Sequence, residues 1–205
     1  MITGNLILVI VTILVSLVAM SNQELMIKML HRPYNEHHSN EKYRLLTSGF
    51  IHADYFHLFI NMFVLYQFGA FVEYKFVNHF GFIGSFIYVG FYILTIIMAN
   101  LKTHFMHKDN FSYSALGASG ATSAVLFSYI FFEPTSKLGL YMIIPVPAII
   151  FGVLYLWYSS WSAGKNQDNI GHEAHFYGAV AGFLITMALY PNEISIFFTK
   201  LIYGW

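Results

Sequence analysis

The chain has 205 residues, 57% of them hydrophobic and 19% aromatic, and only 10% carry charge. A soluble domain carries about 25% charged residues, so a soluble globular fold and a disordered tail are both excluded. Ten Lys and Arg balance ten Asp and Glu without a long basic run, and Cys is absent; nucleic-acid binding, a polybasic lipid-binding segment, disulfides, Cys-ligated zinc, iron–sulfur clusters and thiol catalysis therefore drop out.

A membrane-crossing helix needs roughly 20 mainly apolar residues, because lipid offers no partners to backbone N–H and C=O groups. Six such runs are predicted, at 2–20, 56–76, 82–99, 116–132, 138–158 and 171–190. The first lacks a basic stretch before its apolar core and a small-x-small cleavage site, and reads as a retained span rather than a signal peptide. Long polar connections at 21–55, 100–115 and 159–170 alternate with tight ones at 77–81 and 133–137. The three long loops thus share one face with the starts of spans two, four and six. Pro145 and Pro147 inside the fifth run favour a kink, static or part of a movable substrate gate. The tail 191–205 is too short to cross again; its Ile194, Phe197, Phe198, Leu201 and Trp205 suit a short interfacial helix. No internal repeat is visible. The expected fold is all-α, a single domain over 1–205 built as a polytopic bundle of six transmembrane helices.

Ionisable and strongly polar groups are costly within a span and mark candidate sites. Span two opens with His52-Ala53-Asp54-Tyr55-Phe56-His57 and continues to Asn61; His57 and Asn61, four apart, share a helix face. Span four opens with Gly117-Ala118-Ser119-Gly120, and span six with Gly171-His172-Glu173-Ala174-His175. Parity alone puts His57, Asn61, Ser119 and His175 at similar depth below one face. Small residues say which helices touch: Gly120, Ala124 and Ser128 recur every four residues in span four, and Gly178 and Gly182 form a GxxxG pair in span six. Such stripes let two backbones approach closely in lipid, although either stripe alone also serves plain packing. If these faces meet, two parallel helices bring Ser119 and His175 within reach of each other.

A serine hydroxyl becomes a competent nucleophile when a base takes its proton, and neutral histidine suits that task. Ser119 and His175 fit the two roles, while His57, Asn61 and the backbone N–H of Ser119 are candidate donors to a developing oxyanion. Glu173 lies two residues before His175 and points off its helix face, so a dyad is predicted rather than a triad.

These residues resemble a rhomboid intramembrane serine protease. The resemblance covers about 43–189. It rests on Arg44 leading into Thr47-Ser48-Gly49-Phe50-Ile51-His52, then His57 and Asn61, then Gly117 to Gly120, and last Ala174-His175-x-x-Gly178. It implies that Ser119 is the nucleophile, His175 the general base, and His57 with Asn61 the lining of the oxyanion hole. It also implies that Gly117 shapes the loop before the nucleophile, that Gly120 and Gly178 belong to the site's helix motifs, and that His52 and Glu73 belong to polar networks holding the first loop and second span. Some members carry an aromatic residue four positions after the nucleophile, packed on the base; here that position is Ser123. The resemblance implies single-pass membrane proteins as substrates, cut in or near the span at a small residue, with membrane lipid around the enzyme and no metal or organic cofactor.

Three other readings compete with this one. His172-Glu173-Ala174-His175 spaces its histidines three apart, whereas the zincin motif H-E-x-x-H needs four. A transporter would string polar groups along a continuous path, but these cluster near one face. A catalytically inactive rhomboid-like protein that binds membrane clients is the alternative; such relatives usually lack the serine or the histidine, and both are present. His31, His37, His38, His104 and His107 fall in loops, where solvated surface is the default. The resemblance implies a site opening to the extracytoplasmic side of a membrane, with a bacterial plasma membrane expected from the six-span form. Charge opposes this orientation: Lys28, Arg32, Lys42, Arg44, Lys102, Lys108 and Lys165 would lie outside against Lys75, Lys137 and Lys200 inside.

Overall fold

The computed structural model describes residues 3–140, 144–163 and 171–204; Ile2, 141–143 of the fifth apolar run, Lys165 and Trp205 lie outside the described residues. Helix α1 (Gly4–Ser21) starts where the Thr3 hydroxyl accepts from the Leu6 N–H and the Glu73 carboxylate accepts from the N–H groups of Gly4 and Asn5. Three of its four orphan donors are thereby satisfied, and a negative charge sits at the positive end of the helix dipole. The first loop carries α2 (Gln23–Met29), α3 (Pro33–His38), α4 (Arg44–Thr47) and a 3₁₀ turn at Ser48–Phe50. Asp54 caps α5 (Tyr55–Phe80) by accepting from the His57 N–H. Gly81, at φ +64°, then turns the chain through a second 3₁₀ turn into α6 (Gly84–Met106).

The Phe76 ring packs on Tyr88 and Phe91, so α6 doubles back along α5. Helix α7 (Ser119–Phe132) runs with α5, since Thr122 near its start meets Asn61 and Phe132 at its end meets Phe71. After α7 come β1 (Lys137–Leu140) and β2 (Ile144–Pro147), an antiparallel pair, and then α8 (Ala148–Ser162) and α9 (His172–Leu189). Helix α9 runs parallel to α7 and α8 runs against both. Gly152 faces Phe127 and Ile130, Tyr155 faces Ser123, and Tyr158 faces His172. The starts of α5, α7 and α9 therefore gather at one end of the bundle. Helix α10 (Glu193–Tyr203) bends back by 116° and lays Phe197 on Phe131, while Lys200 donates to the Phe132 carbonyl and pairs with Glu133 at the C-terminus of α7.

Twelve of the 14 residues of α7 are buried, which makes it the central rod of the bundle. Length and composition by themselves pick out fewer spans than the six expected. Among the described residues, Gly4–Ser21 and the doubled-back stretch Tyr55–Met106 are long and apolar enough to cross a membrane, with α9 and α10 a third if counted together. Helices α7 and α8, of 14 and 15 residues, reach about 21–22 Å against a hydrocarbon core of about 30 Å.

The fifth apolar run needs a second correction. It does not form one helix. Its first part is the antiparallel β1–β2 pair, a small addition to a mostly helical bundle, and Pro145 and Pro147 stand in β2, ahead of α8. They pair with Gly139 and Lys137. Both prolines lack an N–H, and alternate positions of an edge strand need none, so the hairpin accommodates them without a helix kink.

Candidate active site

The site is built on the seam between α7 and α9. A Cβ placed on Gly178 would lie 2.1 Å from the Gly120 carbonyl oxygen, and one on Gly182 would lie 2.3 Å from that of Ala124. No side chain larger than hydrogen fits at either position. One turn further, Thr186 donates to Ser128 across the same seam. The two stripes of small residues thus meet as expected, and Gly120 also abuts the Ala174 carbonyl. Ser119 and His175 are the chain neighbours of these touching residues, on parallel helices at the same depth.

The turn that delivers Ser119 is fixed by the first loop. The N–H and C=O of His31 pair with those of Ala115, and the Gly117 N–H donates to the Ser48 carbonyl. Gly117 has φ +117°, a conformation L side chains rarely adopt, and a Cβ there would lie 2.7 Å from His57 Cε1. That same point is 2.9 Å from His57 Nε2 and 3.8 Å from Ser119 Oγ. Glycine therefore leaves open a small space bordered by the hydroxyl and the imidazole. Asn61 is buried beside it; its Oδ1 accepts from Thr122 Oγ1 in the first turn of α7, and its Nδ2 donates to the His57 carbonyl. An amide nitrogen carries two protons, and the bond to the His57 carbonyl uses one.

His52 is fully buried and bridges α1 to the α7 turn. The Ala118 N–H points at its Nε2, which fixes Nδ1 as the protonated nitrogen; Nδ1–H donates to Ser16 Oγ, and Ser16 donates to the Phe50 carbonyl. Burial, with the charge of His57 adding and that of Asp54 opposing, pulls this imidazole down to about 3. It is neutral wherever the protein is folded at ordinary pH, which the acceptor role of Nε2 requires. Its ring stands edge-on to His57 at 4.9 Å.

On the other side of Ser119, its carbonyl accepts from the Ser123 hydroxyl, which also meets the Tyr155 hydroxyl of α8. The Tyr155 ring lies beside the His175 imidazole with centroids 6.1 Å apart and planes 22° from parallel. Ser119 and Ser123 are four apart and share a face, so the face bearing Ser119 looks toward His175. His172 stands edge-on to His175 at 6.0 Å. Glu173 turns the other way, toward Lys102 of α6 at 3.8 Å.

Glu73 is not brought to this cluster. Sixteen residues of α5 separate it from His57, about 24 Å of helix, and it serves the far end of the bundle by accepting from Gly4, Asn5 and Ser85. The loop histidines need the opposite correction. His31 and His104 are not solvated surface: each donates through Nδ1 at 2.6 Å to one oxygen of the fully buried Glu36, and His31 Nε2 meets Thr103. Burial pushes the Glu36 carboxyl up, but the bonds and charges of His31 and then His104 outweigh it and hold it below its ordinary value. Arg44 is likewise buried, donating to Glu41 and to the carbonyls of Ile27 and Leu30 at the end of α2. These ties fasten the first loop to α6 and, through His31, to the turn before Ser119.

Sequence reasoning missed Tyr155, Thr122 and Glu36. A signal existed for Tyr155, since a hydroxyl within an apolar run needs a partner.

The Rhomboid domain matches residues 39–192. A curated relative, the RHOMBOID-like protein 12, mitochondrial, of Arabidopsis thaliana, is 28% identical over 166 residues, or 77% of this chain and 49% of the relative, so the chain spans about half that relative's length. Since the domain match runs from the first loop through α9 and takes in every residue of the Ser119 cluster, the chain belongs to the rhomboid family.

Proposed function

We propose that the protein is an intramembrane serine endopeptidase in which Ser119 attacks the scissile carbonyl and His175 takes its proton. The oxyanion that forms is met by the backbone N–H of Ser119 with His57 and Asn61. Collapse of the tetrahedral intermediate passes the proton from His175 to the leaving amine and leaves an acyl group on Ser119; water, activated by the same imidazole, then releases it. The observation that carries this reading is the backbone-to-backbone seam at Gly120–Gly178 and Ala124–Gly182, which registers the start of α7 against the start of α9. The six apolar helices α1 and α5 to α9 form the membrane-embedded body, with α7 enclosed by the others.

The substrates are membrane proteins cut in or near a transmembrane segment at a small residue, where the helix is loosened enough to expose a carbonyl. No metal or organic cofactor takes part. The test compares the parent with Ser119→Ala and His175→Ala on a model transmembrane substrate with EDTA present. Cleavage by the parent and loss in both variants is the expected result; an inactive parent that still binds the substrate would favour the client-binding alternative.

The site opens away from the cytoplasm in this proposal. The charge bias against it loses force because Arg44 is buried and paired, Lys28 pairs with Glu24 and Lys102 with Glu173. The relative's name is mitochondrial, so the bacterial membrane expected above gains nothing from it. Impermeant thiol labelling of Lys108→Cys but not Lys137→Cys in intact cells is the expected outcome, and the converse reverses the orientation.

A further inference from the structure

We propose that Tyr155 of α8 is the positioning residue that orients the His175 imidazole, with Ser123 as the anchor that ties its ring to the backbone of Ser119; this rests on the Ser119–His175 reading above. Ser123 has one hydroxyl proton. Its Oγ donates at 2.7 Å to the Ser119 carbonyl, so at 2.5 Å from the Tyr155 hydroxyl it accepts. The chain of donors therefore runs one way, from Tyr155 through Ser123 to the nucleophile's own carbonyl. The tyrosine ring, held at this end, lies nearly parallel to the imidazole, offset within the distance range at which aromatic pairs attract. Phe127 and Phe151 flank it at 5.8 and 6.0 Å, which restricts its rotation. Base and nucleophile are thus referenced to each other through a third helix.

Two consequences follow from the placement on α8. An imidazole that rotates freely about its side-chain bonds presents the wrong nitrogen or none to Ser119, so a parallel ring beside it raises the fraction of time it is aligned. And α8 packs less closely than α9: an apolar cleft of about 200 Å³, lined by Phe127, Ile130, Gly152, Leu156 and Phe183 among others, lies between it and the α7–α9 seam. Any tilt of α8 carries the Tyr155 ring with it and changes the support of His175.

The test uses the full chain in detergent and compares Tyr155→Leu, Tyr155→Phe, Ser123→Ala and the Ser123→Ala/Tyr155→Phe double variant. Tyr155→Leu is expected to lower kcat about tenfold with KM within about twofold, and to shift the acidic limb of the kcat/KM profile against pH. Tyr155→Phe keeps the ring and restores most of the rate. Because Tyr155→Phe and Ser123→Ala remove the same bond, each costs about threefold and the double variant is no worse than either. In parallel, ¹³Cε1-histidine NMR reads the ring contact without catalysis: the His175 resonance, assigned with His175→Ala, moves in Tyr155→Leu and stays near the parent in Tyr155→Phe. An unmoved resonance, an unchanged pH profile, or fully multiplicative losses in the double variant would overturn the proposal. A parent that cleaves nothing would sink the proteolytic reading instead, and the resonance would still decide whether Tyr155 holds the ring.

Discussion

Two faces of α7 are packed in opposite ways. Toward α9 the contact is backbone on backbone, with no room for a methyl group at Gly178 or Gly182. Toward α8 it is side chain on side chain across an apolar cleft, with the Ser123–Tyr155 bond as a polar tie. The first face has a single register, so it suits the two groups that must meet within hydrogen-bond reach. The second tolerates rearrangement. The difference teaches where precision is stored: the helices that carry the candidate nucleophile and base are locked in one register, while α8, which carries Tyr155, is packed less closely.

The largest effect expected from this contrast comes from Gly178→Leu. Its Cβ would strike the Gly120 carbonyl, and rigid backbone cannot yield, so we expect about 3 kcal/mol or more of destabilisation and loss of turnover, read by unfolding in mixed micelles and by cleavage assay. Next is Gly117→Ala, which forces a side chain into a positive-φ position and into His57; about 1–3 kcal/mol of strain and a roughly hundredfold loss of turnover are expected, with the helical circular dichroism retained. Third is a pH effect. An imidazole held down at about 3 by burial leaves the unfolded chain binding the extra proton between there and its ordinary value near 6.5. Stability is therefore complete above that ordinary value and falls as pH drops toward the folded one, by about 2 kcal/mol between pH 7 and 5. The His52→Gln variant, measured the same way, lacks this part of the slope.

The smallest effect is of opposite sign. Gly152→Ala on α8 places its Cβ 3.1 Å from the Ile130 Cδ1, the far end of a flexible side chain bordering the cleft. The helix gains about 0.5–1 kcal/mol from losing an interior glycine, and activity stays at the parent level. A Gly152→Ala loss as large as that of Gly178→Leu would abolish the distinction between the two faces.

Much of this arrangement was legible in the residues. Hydropathy located the apolar rods, the alternation of long and short loops set their directions, and the GxxxG pair named the partner of α7. What escaped has physical reasons. Hydropathy reads 138–158 as one run because Leu, Ile and Val are apolar in strand and helix alike, so the hairpin with Pro145 and Pro147 was hidden. Loop histidines default to surface, yet Glu36 joins His31, five residues before it, to His104, 68 residues after it, a distance no local pattern reports. Tyr155 escaped for the same reason: helix-face rules compare positions within one helix, and its partners Ser123 and His175 lie on two others. Glu73 was named through the family resemblance alone, and its task of capping α1 depends on which helix end meets it.

The most direct test of the central claim is the rate at which a fluorophosphonate labels the protein in detergent, with the adduct mapped by mass spectrometry. A phosphonyl group on Ser119, formed by the parent and at least about a hundredfold more slowly by His175→Ala, is the predicted result. Labelling that is absent from Ser119, or that proceeds as fast without the His175 imidazole, would contradict it.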